Sequence, residues 1–124
     1  MRLTELDTAT KANEGLWVDI GHPVTGKPTG MKVQILGADS KAYKKAEKEI
    51  RSDIMLGKTY DDPDGELALR TTIGWSGVED DEGKAIPFSR EALQIAFEKA
   101  PTIRDQIILK QKNRALFLSN GSDE

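Results

Sequence analysis

The segment that most nearly matches a known ligand-binding motif is residues 21–27, with the sequence GHPVTGK. It matches the phosphate-binding pattern GxxxxGK, in which backbone N–H groups surround a phosphate and a following Ser or Thr binds magnesium. Pro28 stands where that Ser or Thr is required, and Pro23 removes a backbone donor. A strand is predicted to follow, so no helix N-terminus faces a phosphate. We therefore interpret the segment as a loop between two strands.

His22 is the only histidine, and the sequence has no cysteine. A usual zinc site and a Cys–His nucleophile pair are therefore excluded. A Ser–His–acid arrangement through Ser40, Ser76 or Ser89 remains formally open, but a helix cap or a turn explains each serine more simply. The sequence thus favours a protein that is not an enzyme and has no cofactor.

Two acidic turns, residues 61–65 (DDPDG) and 80–83 (DDEG), place carboxylates before a glycine, as EF-hand calcium loops do. When each turn is aligned on its glycine, neither supplies an acidic residue at the first or the last ligand position. We predict that both are solvated turns and that the protein binds no metal.

The amino-acid composition argues against nucleic acid and membranes as partners. The 124 residues include 18 basic and 21 acidic side chains, a net charge of −3, which lacks the positive field that nucleic-acid binding requires. No apolar run approaches a membrane span or a signal peptide, and the absence of cysteine fits a reducing cytoplasm. We expect a single soluble domain that binds neither nucleic acid nor membrane.

Apolar periodicity predicts the elements of the first half. Alternating apolar residues indicate strands at about residues 16–20 and 31–35, which a Gly- and Pro-rich connector joins into an antiparallel hairpin. An amphipathic helix follows from Asp39 or Ser40 to about Gly57. Residues 58–66 are predicted to be a loop. Residues 66–74 fit a helix or a strand, and a helix is favoured.

The second half contains two helix starts. Ser89 is placed to cap a helix that Pro101 ends, and Thr102 with Asp105 resembles a capping box for the last helix. That helix carries an apolar stripe made of Ile103, Ile107, Ile108, Ala115 and Leu118. The large aromatic residues are expected to lie in the core, namely Trp17, Trp75, Phe88, Phe97 and Phe117.

These elements predict an α+β, mainly helical fold in which an N-terminal β-hairpin packs against three or four α-helices. Residues 1–14 are expected to form a flexible arm, residues 15–118 the domain, and residues 119–124 a polar tail.

The stripe of the last helix is the candidate partner-binding site, with Ile103, Ile107, Ile108 and Leu118 as its residues. Such a stripe suits recognition of a helix in a groove. The competing interpretation, which is slightly favoured, is that the helix completes the core or a self-association interface.

Several motifs occur in an order that resembles a family of tail assembly chaperones from long-tailed bacteriophages, and the resemblance covers roughly residues 15–118. Its pieces are residues 17–19 (WVD), 22–30 (HPVTGKPTG), 37–43 (GADSKAY), 75–78 (WSGV), 81–84 (DEGK) and 86–89 (IPFS). The resemblance implies a non-catalytic protein of the infected host cytoplasm that keeps the tape measure protein soluble, helps to recruit tail tube subunits and is absent from the mature virion.

Two other classes of function stay open. A structural head–tail or tail-completion protein would persist in the purified phage particle. A small hydrolase or nucleotide-binding enzyme would need a polar pocket around His22 or Lys27.

Overall fold

The computed structural model describes residues 1–118, and its centre is a three-stranded antiparallel sheet in the order β1-β2-β3. The strands are β1 (Leu16–Gly21), β2 (Pro28–Ile35) and β3 (Thr72–Ser76). Val18 pairs with Val33, and Val33 pairs in turn with Trp75 on β3. The predicted hairpin is therefore confirmed, and β3 extends it by one strand.

Five α-helices accompany the sheet within the described residues. They are α1 (Ala9–Glu14), α2 (Lys41–Met55), α3 (Pro63–Thr71), α4 (Arg90–Lys99) and α5 (Pro101–Lys112). Short 3-10 turns occupy Leu3–Leu6 and Arg114–Phe117. The α+β, mainly helical fold class is confirmed.

Alternation along the strands directs one face of the sheet into the core. Val18, Ile20, Val33 and Ile35 are buried and pack with apolar residues of α3, α4 and α5. A second, smaller cluster lies between α2 and α3, and it consists of Tyr43, Ala46, Ile50 and Leu67. Within residues 1–118 no helix covers the opposite face of the sheet, where Trp17 and Ile73 are exposed.

Two glutamines of α5 attach that helix to the strands. The Gln106 Nε2 donates to the Gly21 carbonyl at 2.9 Å, and its Oε1 accepts from the Gly21 N–H at 2.7 Å. The buried Gln111 Nε2 donates to the Leu36 carbonyl at 3.0 Å and to Thr71 Oγ1 at 2.6 Å. Because buried polar groups need partners, these bonds fix the position of α5.

Residues 1–14 contain a packed element, so the expectation of a flexible arm is wrong for α1. Ala12 is buried in the core, and its carbonyl accepts from the Gly37 N–H at 3.1 Å. Thr8 Oγ1 donates to Asp39 at 2.6 Å, and Asn13 Oδ1 accepts from the Lys41 N–H at 2.8 Å. These contacts to distant residues hold a segment that has no periodicity of its own.

The segment between α2 and the sheet differs from the prediction. Residues 58–66 are not all loop, because Asp62 caps α3 by accepting from the Gly65 N–H at 3.0 Å and Pro63 occupies the first helical position. The favoured helix over residues 66–74 is right as far as Thr71, after which the chain becomes β3.

The C-terminal region also departs from expectation. Thr102 and Asp105 form no capping box, because Pro101 begins α5 one residue earlier and places Thr102 inside the helix. The helix ends at Lys112, where Asn113 Oδ1 accepts from the Ala115 N–H and starts the 3-10 turn. The predicted polar tail, residues 119–124, lies outside the described residues.

The predicted cap of α4 is confirmed, since Ser89 Oγ accepts from the Ala92 N–H at 3.0 Å. We expect Ser89→Ala to lower the free energy of unfolding by about 1 kcal/mol, because the alanine leaves that N–H without its partner. Chemical denaturation of the two proteins measures the difference, and equal midpoints would contradict the role of the cap.

Candidate protein-binding surface

The four residues predicted to bind a partner do not form one surface. Ile103 and Ile107 are buried in the core, and Ile108 is partly buried against it. Leu118, by contrast, is half-buried and lines an open groove. The stripe therefore mainly completes the core, and Ile103 and Ile107 are not accessible to a partner in this fold.

The residues considered for catalysis have structural roles. Residues 22–27 connect β1 to β2, so a strand follows the GxxxxGK segment as predicted. That strand begins at Pro28, three residues before the predicted start at about residue 31. His22 Nδ1 accepts from the backbone N–H groups of Val24 and Thr25 in that loop. Ser40 and Ser89 cap α2 and α4. Both serine hydroxyl oxygens accept backbone hydrogen bonds, which is the role expected of capping residues.

The two acidic turns use their carboxylates within the protein. Asp62 caps α3 and also accepts two hydrogen bonds from Arg104, at 2.7 and 2.8 Å. Asp80 Oδ1 accepts from the N–H groups of Glu82 and Lys84. Across residues 1–118, no group of three or more acidic or histidine side chains is arranged to hold a metal ion.

An open groove lies where the two ends of the described chain meet. Its volume is about 730 Å³. Its apolar side chains come from the first 3-10 turn and from the C-terminal region, and they include Leu3, Leu6 and Leu118. Leu3 is 86% exposed and Leu6 is 59% exposed. Because these leucines remain so open to solvent, the groove resembles a docking surface more than an enclosed small-molecule pocket.

Charged residues line one side of this groove. The Arg114 guanidinium donates to both oxygens of Asp39 at 2.9 Å, and Thr8 Oγ1 donates to the same carboxylate. Hydrogen bonds from Arg114 first and from Thr8 second lower the pKa of Asp39 to about 2. Lys44 adds a second positive group to the lining. Asp39 thus connects the N-terminal segment, the start of α2 and the last turn.

The lowered pKa of Asp39 makes the stability of this region depend on pH. A carboxyl whose pKa is lower in the folded state adds stability above its unfolded pKa of about 4 and loses it as pH falls towards about 2. We therefore expect the difference in unfolding free energy between wild type and Asp39→Asn to be full at neutral pH and to shrink below about pH 4. Denaturation curves at several pH values measure it, and a constant difference down to pH 3 would contradict the assignment.

The uncovered face of the sheet is a second exposed surface, and it contains the one aromatic residue that contradicts the core prediction. Trp17 is 49% exposed and Ile73, at a bulge in β3, is 45% exposed. Gln34 lies between them on β2. Phe97 and Phe117 are buried as expected. Trp17 is exposed because side chains alternate along a strand, so it points to the face opposite its buried neighbour Val18.

A third set of exposed apolar side chains follows one another at the C-terminal end of α2. Ile54 is half exposed, and Met55 and Leu56 are more exposed still. They stand at the end of α2, and Ile54 also lines a small groove between α2 and α3.

Several residues of the motifs that carry the family resemblance make contacts that stabilise the fold. The Trp75 indole N–H donates to the Ile86 carbonyl at 2.8 Å, and its ring packs edge-to-face on Phe88 with centroids 5.6 Å apart. Ser40 in the GADSKAY segment caps α2. These motif residues hold the fold together, whereas Trp17 of the WVD segment lies on the exposed face of the sheet.

Sequence reasoning missed the groove because its leucines come from opposite ends of the chain. The signal present was the spacing of Leu3 and Leu6, which places both on one side of a single helical turn. Nothing local joins that turn to Leu118. The contact depends on α1 packing in the core, which the sequence did not indicate.

Comparison with protein-family models, with curated proteins and with solved structures found no significant match. In the part of the chain that the structure describes, no helix has the length and apolar character needed to cross a membrane.

Proposed function

We propose that this protein is a phage tail assembly chaperone, which binds the tape measure protein in the host cytoplasm, keeps it soluble and helps to recruit tail tube subunits. The observation that carries the proposal is the open groove with Leu3, Leu6 and Leu118 on its surface. The motifs that resemble the chaperone family are the reason for proposing a tape measure protein as the occupant of the groove. The chain acts by binding, without a catalytic step.

The groove suits an amphipathic helix of a client protein. A long helical protein exposes apolar stripes before its assembly partners cover them, and such stripes aggregate. The leucines offer an apolar strip to one side of such a helix, and Lys44 offers a positive group at the edge for acidic residues beside the stripe. Asp39 is already neutralised by Arg114, so it does not repel an acidic client.

The proposal is tested by co-expression with the tape measure protein encoded in the same phage or prophage. We expect wild type to raise the soluble yield of the tape measure protein, and the Leu3→Asp, Leu6→Asp double variant to lose most of that effect. Both leucines are exposed, so the variant should stay folded. Binding should weaken because the two introduced carboxylates would be buried, without partners, against the apolar side of the client helix.

A matched control places the same charges elsewhere. The Met55→Asp, Leu56→Asp variant changes two apolar residues at the end of α2 that are 81% and 87% exposed. It should keep the wild-type effect. If this variant loses activity and the groove variant retains it, the client binds at the end of α2 and the groove assignment is wrong.

The chaperone is also expected to be absent from the mature virion, unlike a head–tail or tail-completion protein. Mass spectrometry of purified particles separates these two functions. The position of the gene is a second test, since a chaperone gene should lie between those for the tail tube and tape measure proteins. Stoichiometric amounts in finished particles would favour the structural component.

A further inference from the structure

The geometry points to a second surface with a different occupant: the uncovered face of the sheet binds a second copy of this chain, face to face across a two-fold axis. The residues that form this face are Trp17 and Asp19 on β1, Lys32 and Gln34 on β2, and Ile73, Gly74 and Ser76 on β3. The inference does not depend on the chaperone function.

Two glycines let neighbouring side chains lie along this face. A Cβ atom at Gly74 would stand 3.6 Å from Trp17 Cη2, so the indole reaches from β1 across to β3. A Cβ atom at Gly15 would stand 3.0 Å from Ile73 Cδ1 and 3.2 Å from Gln34 Nε2. Trp17, Gln34 and Ile73 thus form one continuous surface. Two sheet faces of this kind can pack on each other with their side chains interdigitated.

The charges on the face identify the partner as another copy. Asp19 and Lys32 are direct cross-strand neighbours on adjacent strands. In the described part of the chain, neither takes part in an ion pair. A two-fold axis parallel to the strands, placed between β1 and β2, puts Asp19 of each copy opposite Lys32 of the other. The same axis puts Trp17 opposite Gln34.

The pattern is therefore complementary to itself, as a two-fold interface requires. One acidic and one basic residue give the face no net charge, so it attracts neither a strongly acidic nor a strongly basic partner. Trp17 at the centre of the contact supplies the kind of aromatic anchor that dominates interface energies.

The area of the face sets the strength of the dimer. With the axis between β1 and β2, these two strands of each copy face the partner, and β3 lies at the edge of the contact. Two strands of about five residues cover roughly 160 Å², from a spacing of about 4.8 Å between strands and a rise of about 3.3 Å per residue. Stable interfaces usually bury about 800 Å² on each partner. The dimer should accordingly be weak and depend on concentration, with dissociation in the micromolar to millimolar range.

Sedimentation equilibrium over a wide range of concentrations tests the inference on the full chain. Wild type should show a monomer–dimer equilibrium. D19K and K32D should each raise the dissociation constant at least about tenfold, because each variant places like charges opposite one another twice. D81K, which makes the same change of net charge as D19K but in an exposed turn, should behave as wild type.

The most decisive experiment combines the two charge reversals, in a mixture and in one chain. An equimolar mixture of D19K and K32D should form a heterodimer, since each basic residue then meets an acidic one. The double variant D19K/K32D should dimerise by itself as wild type does. These recoveries also show that the single variants are folded.

Three results would overturn the inference. The first is a wild-type chain that stays monomeric at every concentration. The second is single variants that associate like wild type. The third is a mixture of D19K and K32D that forms no heterodimer.

Discussion

Replacing Ile107 with Asp is expected to unfold the domain at ordinary temperature. The Ile107 side chain is fully buried at the centre of α5 and packs in the main core. The substitution removes a buried apolar side chain and leaves a carboxylate without a partner in its place, so the cost is roughly 5 kcal/mol or more. That is comparable to the whole stability of a small domain, which is about 5–15 kcal/mol. Circular dichroism and thermal unfolding measure the loss.

Leu109→Asp is the matched control on the same helix. Leu109 is 71% exposed, so the new carboxylate stays in water and the protein should melt close to wild type. A folded, cooperative Ile107→Asp protein would contradict the position of α5 in the core. The comparison also explains why a variant of Ile107 cannot map a binding site.

Replacing Phe117 with Ala should lower the unfolding free energy by about 3–5 kcal/mol, the cost typical of a buried phenylalanine. Phe117 is the largest of the fully buried side chains. It lies close to Gly37, where an added Cβ would stand 3.1 Å from the phenyl ring and 2.7 Å from the Ala12 Cβ. The ring therefore packs the C-terminal turn against α1 and the end of β2. Urea denaturation measures the change.

The Phe117→Ala variant should also disturb the groove. Loss of the ring removes packing from the turn that precedes Leu118 and from α1, which follows Leu6. Amide hydrogen exchange in residues 3–14 should become faster than in wild type. Leu116→Ala, at a more exposed position in the same turn, should have a much smaller effect on both stability and exchange. Equal effects of the two variants would contradict the role of Phe117.

The elements that could be predicted are those whose signal is local. The hairpin follows from strict alternation around Val18 and Val33, and α2 and α4 follow from helical periodicity with a serine cap. The elements that could not be predicted depend on distant contacts. The strand β3 contains Gly74 and a bulge, so its alternation is interrupted, and pairing with β2 determines its conformation.

The last helix illustrates how a correct pattern gives a wrong boundary. The residues Ile103 and Ile107 do form an apolar stripe, and they bury it. Asn113 then ends the helix by an ordinary turn, so Ala115 and Leu118 do not continue the stripe. Of the predicted site, Leu118 alone lines the groove, and it does so from outside the helix.

The groove could not be predicted from the sequence because it forms between residues that are distant along the chain. Its leucines lie in the Leu3–Leu6 turn and directly after the Arg114–Phe117 turn, at the two ends of the described chain. Asp39 provides the link through Thr8 and Arg114. No single window of sequence contains these partners.

The most direct measurement of the proposed function is the aggregation of purified tape measure protein when it is diluted from denaturant. We expect light scattering to fall as this chain is added, to reach a plateau at a fixed ratio, and the two proteins to elute together in size-exclusion chromatography. A control protein of similar size and charge should leave the scattering unchanged. Scattering that does not respond to this chain, with the two proteins eluting separately, would contradict the chaperone function.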